Sequence, residues 1–174
     1  MKVVILAGGM GTRISEYTKT LPKPMIKVCG KPIIHRIIDH YIKYNHKEFI
    51  VALGYKGASI KKYFSKVKFK KGIKIFLVNT GLKTMTGGRL KRLKKYLDSN
   101  FLLTYGDGLS NVDINKLVRF HNKKKKLVTV TAVRPPARFG AIKIKNSYVR
   151  IFREKNNLDE GWINGGFFVI EPKF

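Results

Sequence analysis

KVVILA at residues 2–7, running straight into GGMGTR at Gly8–Arg13 and followed by LPKPM at Leu21–Met25, sets the architecture of this chain. A near-continuous apolar run bounded by glycines is the pattern of a central parallel strand, buried on both faces. Opening such a strand into a glycine-rich loop brings backbone N–H groups close to an anion, because glycine has no Cβ to block the approach. Arg13 adds a planar fork of donors and Lys23 a compact point charge. Pro22 and Pro24 restrict the backbone around Lys23 and predict an extended stretch there, which lowers the ordering cost of setting an ammonium against a phosphate. Strand, bare loop and two cations together describe a nucleoside triphosphate site.

Two better-known phosphate loops do not fit. A dinucleotide fingerprint needs a third glycine where Ile14 stands, and an acid at the end of the second strand, where the chain reads Ala52-Leu53-Gly54. The lysine-bearing P-loop spacing is missing as well.

Working outward, apolar residues at Ile33, Ile34, Ile37, Ile38, Tyr41 and Ile42 share one face of a helix over residues 31–44, with Pro32 in its first turn. Strands are predicted at 49–53, 73–78 and 101–105, a short helix at 59–64, and a basic amphipathic helix at 86–97. Asp113 suits the cap of a helix reaching about His121. Residues 127–133, 141–144, 148–152 and 166–170 read as a β-rich end. The expectation is therefore an α/β, Rossmann-like, mostly parallel sheet flanked by helices. It forms one domain over 1–174, with a nucleotide-binding part at 1–125 and a second part at 126–174. Ligands of such sheets bind at the carboxyl ends of the strands, where the loops after Ala7 and after Tyr105 both fall.

With 174 residues, 44% hydrophobic and 27% charged, the chain can bury one substantial core. No apolar run reaches the ~20 residues needed to cross a bilayer. The single Cys29 excludes an internal disulfide and any cysteine-rich metal site, suits a reducing cytoplasm, and reads as a packed residue. The charge is unusual: 37 Lys+Arg against 10 Asp+Glu, formally +27. The surplus is mostly lysine spread along the chain, with runs at 68–71 and 123–126. It lacks the arginine and aromatic pattern of base-reading modules, so it reads as a solvated surface, with polyanion binding as the alternative.

Further motifs lie downstream. Asp107 sits between two glycines at a strand end, open to solvent and ligand. That suits Mg²⁺ holding several waters and bridging phosphate oxygens, although Asp-Gly is also ordinary turn chemistry. Thr84-Met-Thr-Gly-Gly-Arg89 opens the basic helix, whose first N–H groups could meet an anion or a base edge. Glu154, Lys155 and Asn164 could serve sugar hydroxyls and a sugar phosphate. His35, His40, His46 and His121 share no metal-ligand or triad spacing.

These segments together resemble the sugar-1-phosphate nucleotidyltransferase family. GGMGTR…PKP is shared across that family, while TMTGGRL, YGDG and INGGFF are similar to its cytidylyl branch, the glucose-1-phosphate cytidylyltransferases. The resemblance, which covers essentially the whole chain, implies transfer of a cytidylyl group from CTP to glucose 1-phosphate with Mg²⁺, in a cytoplasmic enzyme of surface-polysaccharide (O-antigen) synthesis. It implies that Leu6, Ala7, Gly8, Gly9 and Met10 line the nucleotide and that Gly11, Thr12 and Arg13 hold the triphosphate. Lys23 would sit on the phosphate under transfer, Thr84 and Arg89 would meet the nucleotide, and Gly106 would contact it through its backbone. Asp107 would bind the metal; 126–174 would be the sugar-binding part, in which Glu154, Lys155 and Asn164 would face the sugar phosphate. It further implies a catalytic domain continuing past Phe174, with a second metal-binding aspartate there, and an insertion between Phe64 and Ile73 that is short here. A homo-oligomer is possible. The alternatives are transfer from UTP or dTTP, nucleotide binding without turnover, and recruitment to nucleic acid through charge.

Overall fold

The structure, a computed structural model, describes residues 1–10, 21–135, 141–153 and 161–174. In chain order, β1 (Val3–Ala7) is followed by a 3-10 turn (Lys23–Met25), β2 (Lys27–Val28), β3 (Lys31–Pro32), α1 (Ile33–Ile42) and β4 (Glu48–Leu53). Next come α2 (Gly57–Phe64), β5 (Lys74–Asn79), α3 (Thr86–Leu93), a 3-10 turn (Lys94–Tyr96) and β6 (Phe101–Tyr105). The remainder is α4 (Ile114–Lys124), β7 (Val128–Val133), β8 (Ala141–Lys145), β9 (Tyr148–Arg153) and β10 (Ile163–Ile170).

The main sheet runs β5-β4-β1-β6-β10-β7. Its first four strands are parallel, with β1 between β4 (Ala7 opposite Leu53) and β6 (Leu6 opposite Tyr105). β10 lies antiparallel on β6, Phe168 opposite Leu103. The two faces of β1 explain its unbroken apolar run. Val3, Ile5 and Ala7 join one core with α1 residues Ile34, Ile37, Ile38 and Tyr41. Val4 joins a second core on the other face with Ile50, Leu93, Leu97 and Leu103. Each fully buried branched side chain contributes about 1.5–3 kcal/mol, so the sheet centre is the most firmly held part of the fold. No helix among the described residues is long and apolar enough to cross a membrane.

The chain divides into two compact units, Met1–Thr129 with Gly166–Phe174, and Val130–Gly165. The last nine residues therefore belong with the first unit. The reason is the pairing of Phe167–Ile170 with β6, reinforced where the Glu171 N–H donates to the Leu127 carbonyl at 2.9 Å. Within the second unit β8 and β9 form a hairpin. Its turn residues, Asn146 and Ser147, both take positive φ, as a tight two-residue turn requires.

Several expectations need correction. Lys31 and Pro32 belong to β3, so α1 begins only at Ile33, with Pro32 as the capping position. The basic helix stops at Leu93 and tightens into a 3-10 turn. β10 begins at Ile163, earlier than the apolar cluster suggests. Cys29 is exposed rather than packed. With Gly30 it makes the two-residue β2–β3 turn, φ 46° and 81°, held from α1 by Arg36, which donates to the carbonyls of Val28 and Cys29 at 2.6 and 2.7 Å.

Candidate active site

Because β1 and β6 are neighbouring parallel strands, the loops that follow them leave the sheet at the same edge. A cleft of about 290 Å³ opens there. Its floor is Leu6, Ala7, Gly8 and Gly9; Lys23 and Pro24 flank it, Tyr105 and Asp107 close the β6 side, and Thr84, Met85, Thr86 and Arg89 line the α3 side.

Lys23 and Asp107 come together across this cleft, Nζ to Oδ2 at 3.9 Å. Lys23 is not in an extended stretch as its flanking prolines predict. Pro22 and Ile26 are extended on either side, while Lys23–Met25 make a 3-10 turn closed by Met25 N–H to the Pro22 carbonyl at 2.8 Å and Ile26 N–H to the Lys23 carbonyl at 3.0 Å. Pro24 lies at the start of that turn, where its missing N–H is harmless, and its buried ring anchors the turn. Lys23 is thus held by packing, with its side chain only 15% exposed, while the Asp107 side chain is 46% exposed. An ion pair this open is worth about 0–1 kcal/mol, so it does little for stability. Its interest is that a cation and a carboxylate converge on one point beside an open glycine backbone.

Gly106 explains how they come so close. Its N–H donates to the Leu6 carbonyl at 2.9 Å, continuing the β1–β6 pairing. A Cβ there would meet the Leu6 carbonyl oxygen at 2.9 Å, Pro24 Cγ at 3.0 Å and the Ala7 Cα at 3.3 Å. The expected nucleotide contact through the Gly106 backbone is therefore not available to its N–H, which is already spent. What the glycine does is let three segments pack tightly enough to bring Lys23 and Asp107 within reach.

Arg89 is the hub of the other wall. It is 5% exposed, and Nη1 donates to the Leu53 carbonyl at 3.1 Å, to Thr80 Oγ1 at 2.6 Å and to the Gly81 carbonyl at 2.8 Å. Nη2 donates to the Gly8 carbonyl at 2.8 Å and the Leu82 carbonyl at 3.4 Å. Burial, and then the charge of Arg92, pushes this guanidinium below the usual arginine range. The Gly8 carbonyl also accepts from the Tyr55 N–H at 3.2 Å. Since a trans peptide points C=O and the next N–H opposite ways, turning the Gly8 carbonyl onto Arg89 directs the Gly9 N–H away from it. A guanidinium fixes the glycine loop, the end of β4 and the loop before α3 with one planar fork.

Of the expected nucleotide residues, Leu6, Ala7, Gly8, Gly9, Lys23, Thr84 and Arg89 line the cleft, as does the expected metal residue Asp107. Met10 is 45% exposed and does not line it. Gly11, Thr12 and Arg13, and Glu154 and Lys155, lie outside the described residues. Asn164 is in β10, within the second unit. Sequence reasoning did not place Pro24 and Tyr105 in the cleft, though each adjoins a residue already singled out; their neighbours Lys23 and Gly106 were the available signal. It also missed Leu53 and Thr80 as supports for Arg89, for which the sequence holds no sign.

Comparison with known proteins follows the same lines. The nucleotidyl transferase family signature matches residues 2–174. Glucose-1-phosphate cytidylyltransferase of Salmonella typhimurium is 46% identical over 194 aligned positions, covering 99% of this chain and 76% of the relative. A probable glucose-1-phosphate cytidylyltransferase of Bacillus subtilis is 41% identical with the same coverage of 99% and 76%. Among solved structures, HddC from Yersinia pseudotuberculosis complexed with GMP-PN superposes with a TM-score of 0.71 at 28% identity, covering 99% of this chain and 77% of that one.

Proposed function

As the chain belongs to the nucleotidyl transferase family, we propose that it transfers the cytidylyl group of CTP to glucose 1-phosphate, giving CDP-glucose and pyrophosphate. The observation that carries this reading is the meeting of Lys23 and Asp107 at 3.9 Å beside the open glycine backbone of the cleft. The similarity to cytidylyltransferases supports the choice of nucleotide and sugar.

In this reaction a phosphate oxygen of glucose 1-phosphate attacks the α-phosphorus of CTP. The bond from that phosphorus to the bridging oxygen breaks, and the electron pair leaves on pyrophosphate. Charge builds on oxygens around the α-phosphorus and on the leaving group, so the protein's contribution is positioning and neutralisation. Lys23, held by the buried Pro24 and Met25, sets its ammonium against the α-phosphate. Gly8 and Gly9 bring the backbone close to the nucleotide, and Arg13, which follows them in the sequence, steadies the departing pyrophosphate. Thr84 lies against the nucleotide. Arg89 acts by holding Gly8 and the loop before α3 in place. Glu154, Lys155 and Asn164 face the sugar phosphate.

Asp107 supplies one hard, half-exposed oxygen donor, a donor set that fits Mg²⁺, which keeps several waters and takes phosphate oxygens as its other ligands. When bound, the ion would neutralise phosphate charge and hold the triphosphate in line.

The test is pyrophosphate release by the purified protein with CTP, UTP, dTTP or GTP, glucose 1-phosphate and Mg²⁺. CTP should be used best, and preference for another triphosphate would refute the assignment. A second reading, binding without turnover, is favoured by one observation: Asp107 is the only carboxylate among the described residues lining the cleft. CTP binding by calorimetry without pyrophosphate release would select it.

A further inference from the structure

The loop between β5 and α3 is gripped from behind by two arginines one helical turn apart. Arg89 takes the Thr80 hydroxyl at 2.6 Å, the Gly81 carbonyl at 2.8 Å and the Leu82 carbonyl at 3.4 Å. Arg92 takes the remaining member of the series, its Nη1 donating to the Thr80 carbonyl at 2.6 Å. Three consecutive carbonyls, of Thr80, Gly81 and Leu82, are thus turned onto guanidinium groups of α3. The N–H groups of the residues that follow each of them are correspondingly turned the other way. Thr80 itself is fully buried, its N–H and hydroxyl both donating to the Leu53 carbonyl, at 2.9 and 2.7 Å.

The grip has a geometric requirement at Gly81. Its φ is +88°, a conformation that favours glycine, and its N–H donates to Asn79 Oδ1 at 3.0 Å. A Cβ added there would overlap Nη1 of Arg92 and stand 2.7 Å from Thr84 Oγ1. The Arg92 fork, the Gly81 backbone and the Thr84 side chain therefore meet at one place, and Thr84 lines the cleft. Placing a second cation beside the buried Arg89 is electrostatically unfavourable unless those carbonyls are there to receive both.

We propose that Arg92 is a positioning residue for the nucleotide. Through the Thr80 carbonyl and the close approach at Gly81 it sets the course of loop 80–84, and with it the placement of Thr84 in the cleft wall. It touches no reacting atom. This inference rests on the reading of the cleft as a triphosphate site.

The test compares wild type with Arg92→Ala and Arg92→Lys in the full chain, by two measurements. The first is amide hydrogen exchange. In Arg92→Ala, exchange over 80–84 should rise, while that of α2 stays as in wild type. The second is calorimetric affinity for whichever of CTP, UTP, dTTP or GTP wild type binds best. Loss of a charge-assisted hydrogen bond predicts roughly tenfold weaker binding, with the KM for sugar phosphate moving less than about twofold. Arg92→Lys should recover part of the affinity, since it keeps charge but not the fork. Unchanged exchange over 80–84, unchanged affinity, or equal weakening of both substrates would overturn the inference. If wild type binds no triphosphate at all, the cleft reading itself fails; binding in wild type with an indifferent Arg92→Ala defeats the Arg92 role alone.

Discussion

Adding one methyl group at Gly8, and separately at Gly9, should divide the two duties of the glycine loop. At Gly8 a Cβ would land on the guanidinium of Arg89 and lie 2.9 Å from the Gly54 amide nitrogen. Arg89 cannot step aside without giving up hydrogen bonds to Leu53, Thr80, Gly81 and Gly8 itself, and at 5% exposure water cannot replace them. Overpacking alone costs about 1–3 kcal/mol, and loosening a charge-assisted bond about 1.5–3 kcal/mol. The sum for Gly8→Ala is about 2.5–6 kcal/mol, or a melting temperature lower by roughly 5–25 °C for a chain of this size. At Gly9 the added Cβ meets nothing within 4 Å, so Gly9→Ala should hold its stability within about 1 kcal/mol. Because Gly9 lines the cleft, the methyl should instead weaken nucleotide binding. Denaturant unfolding with calorimetric titration of CTP reads both quantities. A Gly8→Ala protein as stable as wild type, or a Gly9→Ala protein that unfolds early, would refute the account of Arg89 as the hub.

Lys23→Ala should lower turnover by about a hundredfold or more while stability changes by less than ~1 kcal/mol, its ion-pair partner Asp107, at 3.9 Å, being half exposed; near-normal rates would remove Lys23 from the chemistry. Asp107→Asn should raise the Mg²⁺ concentration needed for half-maximal rate, and an unshifted metal curve would contradict its role. The Tyr41 hydroxyl is buried with no hydrogen-bond partner among the described residues, and burial raises its pKa. Tyr41→Phe should therefore stabilise the protein by about 1 kcal/mol in urea unfolding, and a loss of stability would show that the hydroxyl is satisfied. Burial lowers the pKa of His35, His40 and His46 below the ordinary 6.5, outweighing Asp39 at His35, the Val112 carbonyl at His40 and the Met1 carbonyl at His46. The unfolded chain then binds protons first, so stability is full above about pH 6.5 and falls as pH drops below it; a urea midpoint unchanged between neutral and mildly acid pH would contradict this.

Most of the frame of this protein was readable from local pattern. The unbroken run Val3–Ala7 announces a strand covered on both faces, and β1 indeed feeds two separate cores. Helical spacing of Ile34, Ile37, Ile38 and Tyr41 announces α1, and Asp113 caps α4 by accepting the Lys116 N–H at 2.9 Å. Glycine-rich loops after Ala7 and Tyr105 announce the edge at which the cleft opens, because parallel strands place such loops at one edge. These are properties of a few consecutive residues, which is why a linear reading captures them.

The working parts of the cleft depend on tertiary contacts instead. The partners of Arg89 come from Gly8, Leu53 and residues 80–82, and those of Gly106 from Leu6, Ala7 and Pro24. The parallel register that sets Leu6 opposite Tyr105 and Ala7 opposite Leu53 brings them together. Neighbouring residues alone suggested an extended Lys23 and a packed Cys29. Packing of Pro24 and the positive-φ turn at Cys29 decided both otherwise. Local propensity sets which elements form. Where a donor finds its acceptor depends on which distant segments the sheet places side by side.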